Sequence, residues 1–164
     1  MYAFVTLLIA ALLIAVDQGI KYWATLVLAP VGAMPLIPKV VELRYVLNDG
    51  AAFSMLGGKQ GFLIAFTGLA LAALLIYLLK KRPTGKLEYI AWVMIFAGGI
   101  GNLIDRVVNQ VVVDYINLLF MKFAVFNFAD ILVCVGMALL VLDIFLDEAK
   151  KSKTKKKEQD RGAI

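Results

Sequence analysis

Two aspartates in apolar surroundings are the residues best suited to chemistry: Asp114 in Val112-Val113-Asp114-Tyr115-Ile116, and Asp130 in Phe126-Asn127-Phe128-Ala129-Asp130. They lie sixteen positions apart, enough chain for a short re-entrant or surface segment that brings the carboxylates face to face. Two carboxylates a few ångströms apart in a dry site cannot both ionise, so they share one proton. One then activates water while the other protonates a carbonyl oxygen or a leaving amine. Spacing leaves an alternative open, in which each Asp is a structural anion balanced by Arg106, Lys21 or Lys122.

Composition narrows the other chemistries. The chain has no histidine, which excludes Ser-His-Asp and Cys-His catalysis and removes the commonest metal ligand; no metal or other cofactor is expected. Cys134 is the single cysteine and lies in an apolar run, so no intrachain disulfide forms and a packed, inert thiol is expected. Three rivals stay open: a Ser54 nucleophile paired with Lys21 or Lys59, an ion-coupled relay through Asp114, Asp130 and Arg106, and a purely structural scaffold. A relay should place carboxylates near the midplane of a membrane, whereas the polar residues here fall nearer one end of each span.

The elements that must position these groups are set by hydropathy. Hydrophobic residues make up 62% of the 164 positions and the mean hydropathy is +0.87, beyond what a water-soluble domain of this length can bury. Crossing a hydrocarbon core takes about 20 apolar residues. Four segments qualify, Tyr2 to Leu28, Phe62 to Leu79, Leu87 to Val108 and Val125 to Leu146. The first lacks the basic start and small-residue cleavage site of a secretory signal and is read as a retained helix. Eleven of the seventeen cations lie in two blocks, Lys80 to Lys86 and Lys150 to Arg161. The net charge of +5 therefore reads as topology, not nucleic-acid binding: both termini cytoplasmic, first and third connections outside. Residues 1–149 read as one membrane domain and 150–164 as a basic, disordered cytoplasmic tail.

The first outer connection contains VVELRYVL, a strand-type run, followed by the turn-type residues Asn48-Asp49-Gly50. It is read as a small β element on the outer surface. At the helical rise, Asp17 lies about 22 Å along helix one from its inner end, and Asn102 and Asp130 each about 24 Å along theirs. Three helices thus carry polar side chains at one level, the outer third of the membrane. Ionisable residues there are functional candidates by default, although Asp17 and Lys21, four apart, also read as a snorkelling ion pair. Gly98, Gly99 and Gly101 permit close helix approach, and Asn102 and Arg106 share one helix face.

Five stretches in chain order, DQGIK (17–21), NDGAAF (48–53), GGIGNLIDR (98–106), VVDYI (112–116) and FNFAD (126–130), resemble the prolipoprotein signal peptidases, or signal peptidase II. They span most of the chain. Gly19 and Ile20 depart from the hydroxyl residue that the family often has before the Lys. The resemblance implies an all-α membrane protein with four transmembrane helices, a small extracytoplasmic β cradle and a short outer surface helix or loop. It implies an aspartyl peptidase of the bacterial cytoplasmic membrane whose catalytic pair falls on Asp114 and Asp130. Its substrates would be diacylglyceryl-modified prolipoproteins, cut just before the lipidated cysteine, with membrane lipid as the other partner. Asn48, Asn102, Arg106 and Asn127 would line the site and hold substrate backbone and dyad. Asp17, Lys21, Gly50 and Ala51 fall in the same motifs as further substrate-binding or site-supporting positions.

Overall fold

A computed structural model describes residues 2–50, 58–80, 83 and 85–162. Its elements, in chain order, are α1 (Tyr2–Trp23), a π-helical turn (Ala24–Leu28), β1 (Ala33–Ile37), β2 (Val41–Asn48), α2 (Gln60–Lys80), α3 (Lys86–Asn109), β3 (Val112–Leu118) and α4 (Phe128–Gly162). Among the described residues four helices are long and apolar enough to cross a membrane. The protein is thus an all-α membrane protein carrying one small sheet.

α3 packs against α1, α2 and α4; it is the least apolar of the four spans and the most buried. Its Val93, Phe96 and Ala97 form a core with Ala10 of α1, Leu71 and Leu78 of α2 and Leu132 of α4. Gly98 faces α4 so closely that a Cβ there would overlap the carbonyl oxygen of Ala129, and a Cβ on Gly101 would lie 2.5 Å from the Asp17 carboxylate. Small residues at these two positions let the helices bring their polar groups within hydrogen-bonding distance.

The sheet is antiparallel, in the order β1-β2-β3. Pro35 is tolerated because β1 is an edge strand, and Lys39, at φ 62°, turns the hairpin back into β2. β3 follows α3 almost at once. The helix ends at Gln110 in the left-handed region, whose N–H donates to the Arg106 carbonyl at 3.1 Å, a C-terminal motif that reverses the chain. The π turn buries Ala24 and Leu28 against Val113 and Tyr115 of β3, so an irregularity in the first span seats the sheet on the bundle.

Several expectations change. The chain between the aspartates, expected as a re-entrant or surface segment, opens with β3, which carries Asp114 and pairs along most of its length with β2. β1 was not anticipated. The fourth helix starts at Phe128, not Val125, because residues just before it pair with β3 through Phe126 and Ile116. It runs on to Gly162, across the tail whose composition suggests disorder; Lys and Glu are good helix formers, and Lys150–Asp147 and Lys151–Glu148 pairs span its turns. Cys134 is exposed, not packed: an apolar run in a membrane helix faces lipid as readily as protein. Ala51 and Ser54 lie outside the described residues.

Candidate active site

The first turn of α4 carries one half of the site. Asn127 is its N-cap: Asn127 Oδ1 accepts the Asp130 N–H at 3.0 Å, and Asp130 Oδ2 accepts the Asn127 N–H at 3.0 Å. This reciprocal pairing is a capping box, here with Asp at the position more often held by Glu. It satisfies backbone donors that would be orphaned in a low-dielectric setting and fixes the Asp130 rotamer. Tyr115 contributes its phenol oxygen to the next free donor, the Phe128 N–H, at 3.0 Å. Burial pushes that phenol well above its ordinary range, so it stays neutral.

β3 supplies the other half. Asp114 is buried, with Oδ2 accepting from Asn48 Nδ2 at 2.9 Å and Oδ1 accepting from Asn127 Nδ2 at 2.6 Å. Asp130 Oδ1 accepts from Asn102 Nδ2 at 2.8 Å. Each of the four carboxylate oxygens therefore holds one N–H of the protein, and Asn127 holds both residues at once. Among the described residues no cation is ion-paired with either carboxylate, so balance by Arg106, Lys21 or Lys122 through a direct bridge is not what holds them. Burial pushes Asp114 up to about 6, opposed by the Asn48 donor and reinforced by the Asp130 charge.

Arg106 and Gly50 close one side. Arg106 donates through Nη2 to the Gly50 carbonyl at 2.9 Å and through Nη1 to the Asn102 carbonyl at 3.2 Å. Asn48 Oδ1 accepts the Gly50 N–H at 2.9 Å, making the expected turn an Asx-type one. Gln60, at the start of α2, donates to the Asp49 carbonyl, tying that turn to the second span.

Behind these groups lies a buried charged cluster. Lys21 pairs with Asp17 at 2.9 Å and with Asp105 at 3.0 Å, all three nearly inaccessible. The pair does not snorkel; it is locked between α1 and α3. Asp17 also accepts the Ala129 N–H at 3.0 Å, another free donor of α4. Gln18 bridges Asp17, Asp105 and the Gly101 carbonyl, and Asp105 accepts the Val113 N–H of β3 at 3.3 Å. Gln18 and Asp105 were not read as site residues, although both sit inside motifs that were; a polar residue one position from a charged one gives no hint of which neighbour it will meet.

Asn48, Asn102, Arg106, Asp114 and Asp130 stand together at the polar part of a cavity of about 790 Å³. The rest of its wall is mostly apolar and is shared among α2, α3, β3, the segment before α4 and α4 itself, including Phe66, Ala70, Ile95, Phe126, Ile131 and the exposed Cys134. Such a space admits an extended apolar group and brings one polar bond to the carboxylates.

The comparisons decide the family. Residues 9–146 match the model of signal peptidase (SPase) II. The chain belongs to the signal peptidase II family. It is 41% identical over 137 residues to a lipoprotein signal peptidase of Streptococcus pyogenes serotype M2, covering 84% of this chain and 90% of that protein. A serotype M6 counterpart is 40% identical over the same length and coverage. A solved bacterial membrane enzyme, obtained by the in meso method at 2.3 Å, superposes with TM-score 0.80 at 31% identity, covering 90% of this chain and 91% of that one. As a signal peptidase II family member with four membrane-length helices, the protein is a multi-pass membrane hydrolase that cuts peptide bonds.

Proposed function

We propose that Asp114 and Asp130 are the catalytic dyad of an aspartic endopeptidase that removes the signal peptide from diacylglyceryl-modified prolipoproteins, cutting just before the lipidated cysteine. The observation that carries this reading is the pair of carboxylates held through Asn127, all four oxygens oriented by N–H donors, at the polar part of an apolar cavity. The remaining lone pairs take one proton and one water. The ionised carboxylate removes a proton from that water as its oxygen attacks the scissile carbonyl, and the protonated one gives its proton to the carbonyl oxygen. Collapse sends the first carboxyl's proton to the leaving amine and returns a diol proton to the second. The dyad ends singly protonated, as it began.

A serine mechanism through Lys21 fits less well, because that ammonium already donates to Asp17, Asp105 and Asn102 and cannot act as a free base. The chemistry of the cavity favours a lipidated substrate: acyl chains lie along α2 and α4 while the peptide reaches the dyad. The test compares one precursor with and without its diacylglyceryl group. Each buried methylene contributes about 0.8 kcal/mol, so kcat/KM for the unmodified form is expected to be lower by at least about tenfold; equal values would sink the lipid assignment.

In this reading the dyad and sheet face outward in the bacterial cytoplasmic membrane, with both termini cytoplasmic. The support is the grouping of Lys80, Lys86 and the α4 extension away from the connections that bear the site. A reporter fused after Arg161 should be cytoplasmic, and an external one would reverse the orientation.

A further inference from the structure

Lys21 lies deep between α1 and α3 and reaches the dyad only at one remove. Its ammonium has three protons and meets three acceptors, Asp17 Oδ2 at 2.9 Å, Asp105 Oδ2 at 3.0 Å and Asn102 Oδ1 at 2.8 Å. An ammonium can only donate, so the Asn102 amide must face it with its oxygen. Asn127 Nδ2 donates to that same oxygen at 3.1 Å. The Asn102 NH2 is then left pointing at Asp130 Oδ1, 2.8 Å away. A half-turn of this amide would set its NH2 against two donors and its oxygen against a carboxylate. Of the two groups on the oxygen, Asn127 is itself an amide with both a donor and an acceptor end; Lys21 is the one that can present nothing but donors.

We propose that Lys21 is a positioning residue for the hydrolytic reaction: it fixes the Asn102 amide so that Asp130 Oδ1 always meets a donor. Asp17 and Asp105, in turn, hold the ammonium in place and balance its charge. The inference rests on the dyad reading above. It separates Lys21 from a merely structural ion pair, which would affect folding without acting through Asn102.

A double-mutant cycle in the full-length enzyme tests it, with kcat and KM measured on diacylglyceryl-modified precursor. Lys21→Met is expected to lower kcat about 10–100-fold, the range for loss of an orienting outer partner, with little change in KM. On top of Asn102→Ala, the same change should add less than about twofold, because the residue through which Lys21 acts is already gone. Repetition of the full loss in the Asn102→Ala background would overturn the proposal, as would a rise in KM with kcat intact. Lys21→Met leaves two buried anions uncompensated; if it fails to fold, Lys21→Met with Asp105→Asn leaves one anion in place of two anions and a cation, conserving the net charge, and the same cycle is read there. Asn102→Asp serves where both fail. It keeps an acceptor for Lys21 but has no NH2 for Asp130, so it should be as impaired as Asn102→Ala, and near-parent activity would overturn the proposal. Asp130→Asn runs in the same panel: if that variant retains turnover, the dyad reading fails, whereas the Lys21 inference fails only on the cycle.

Discussion

Asp114→Asn and Asp130→Asn should each lose nearly all turnover, and the double variant should be little worse than either. Asparagine keeps the shape of the side chain but cannot take up or release the proton that the pair shares. Groups that act as one unit are not additive: in such sets, removing one member costs about as much as removing all, with losses of roughly 10⁴–10⁶ in kcat. Measured on purified, folded variants, binding of precursor should survive, because most of the cavity wall is apolar and remote from the carboxylates. The same account fixes the sign of the pH dependence. Burial keeps the proton on Asp114 up to about 6, well above the ordinary carboxylate range. As pH rises through that value the substrate-free pair loses its last proton, so kcat/KM falls on the alkaline side; on the acid side it falls as the second proton is gained. A profile flat from pH 4 to 8 would be inconsistent with a shared proton.

Asn127→Ala should have the next largest effect, and on two quantities at once. It removes the N-cap of α4, costing about 0.5–2 kcal/mol of stability. It also removes the donor to Asp114 Oδ1 and the acceptor for the Asp130 N–H, so the Asp114 carboxylate loses a donor and the backbone that carries Asp130 loses its cap, while the Asn127 backbone N–H still holds Asp130 Oδ2. Loss of one preorganised donor in an active centre costs about 10²–10³ in kcat. Asn127→Asp discriminates the two roles, since Asp caps a helix as well as Asn does but sets a third carboxylate against Asp114. It should be inactive although the cap is kept, and because a third buried carboxylate beside Asp114 is costly when ionised, it should melt nearer the parent at acid than at neutral pH. Thermal melting beside kcat reads both; activity of Asn127→Ala within about threefold of parent would show that the anchor does not matter.

What the sequence made legible follows from which interactions are local. Three spans and the start of the fourth could be bounded to within a few residues because hydropathy is a sum along the chain, whereas the polar continuation of α4 to Gly162 carries no such signal. The common depth of Asp17, Asn102 and Asp130 followed from the helical rise alone, and these residues are indeed joined through Lys21 and the first turn of α4. The strand bearing Asp114 was not legible: Val-Val-Asp-Tyr-Ile is short and apolar enough for a strand or a membrane-dipping segment, and the choice is made by β2, far away in sequence. Lys21 looked like a snorkelling residue because nothing local reveals Asp105 waiting across the helix interface. Cys134 looked packed because periodicity cannot distinguish lipid from protein as the apolar neighbour.

One measurement bears most directly on hydrolysis by an aspartate-activated water. Parent enzyme in a metal chelator is mixed with excess diacylglyceryl-modified precursor, and the masses of both products and of the intact enzyme are followed from the first turnover. The expected result is two products in equal amounts without a burst, a cut immediately before the lipidated cysteine, and an enzyme of unchanged mass, because the water attacks the carbonyl directly. An enzyme that carries a covalent signal-peptide fragment, or that stops working in the chelator, would contradict the account.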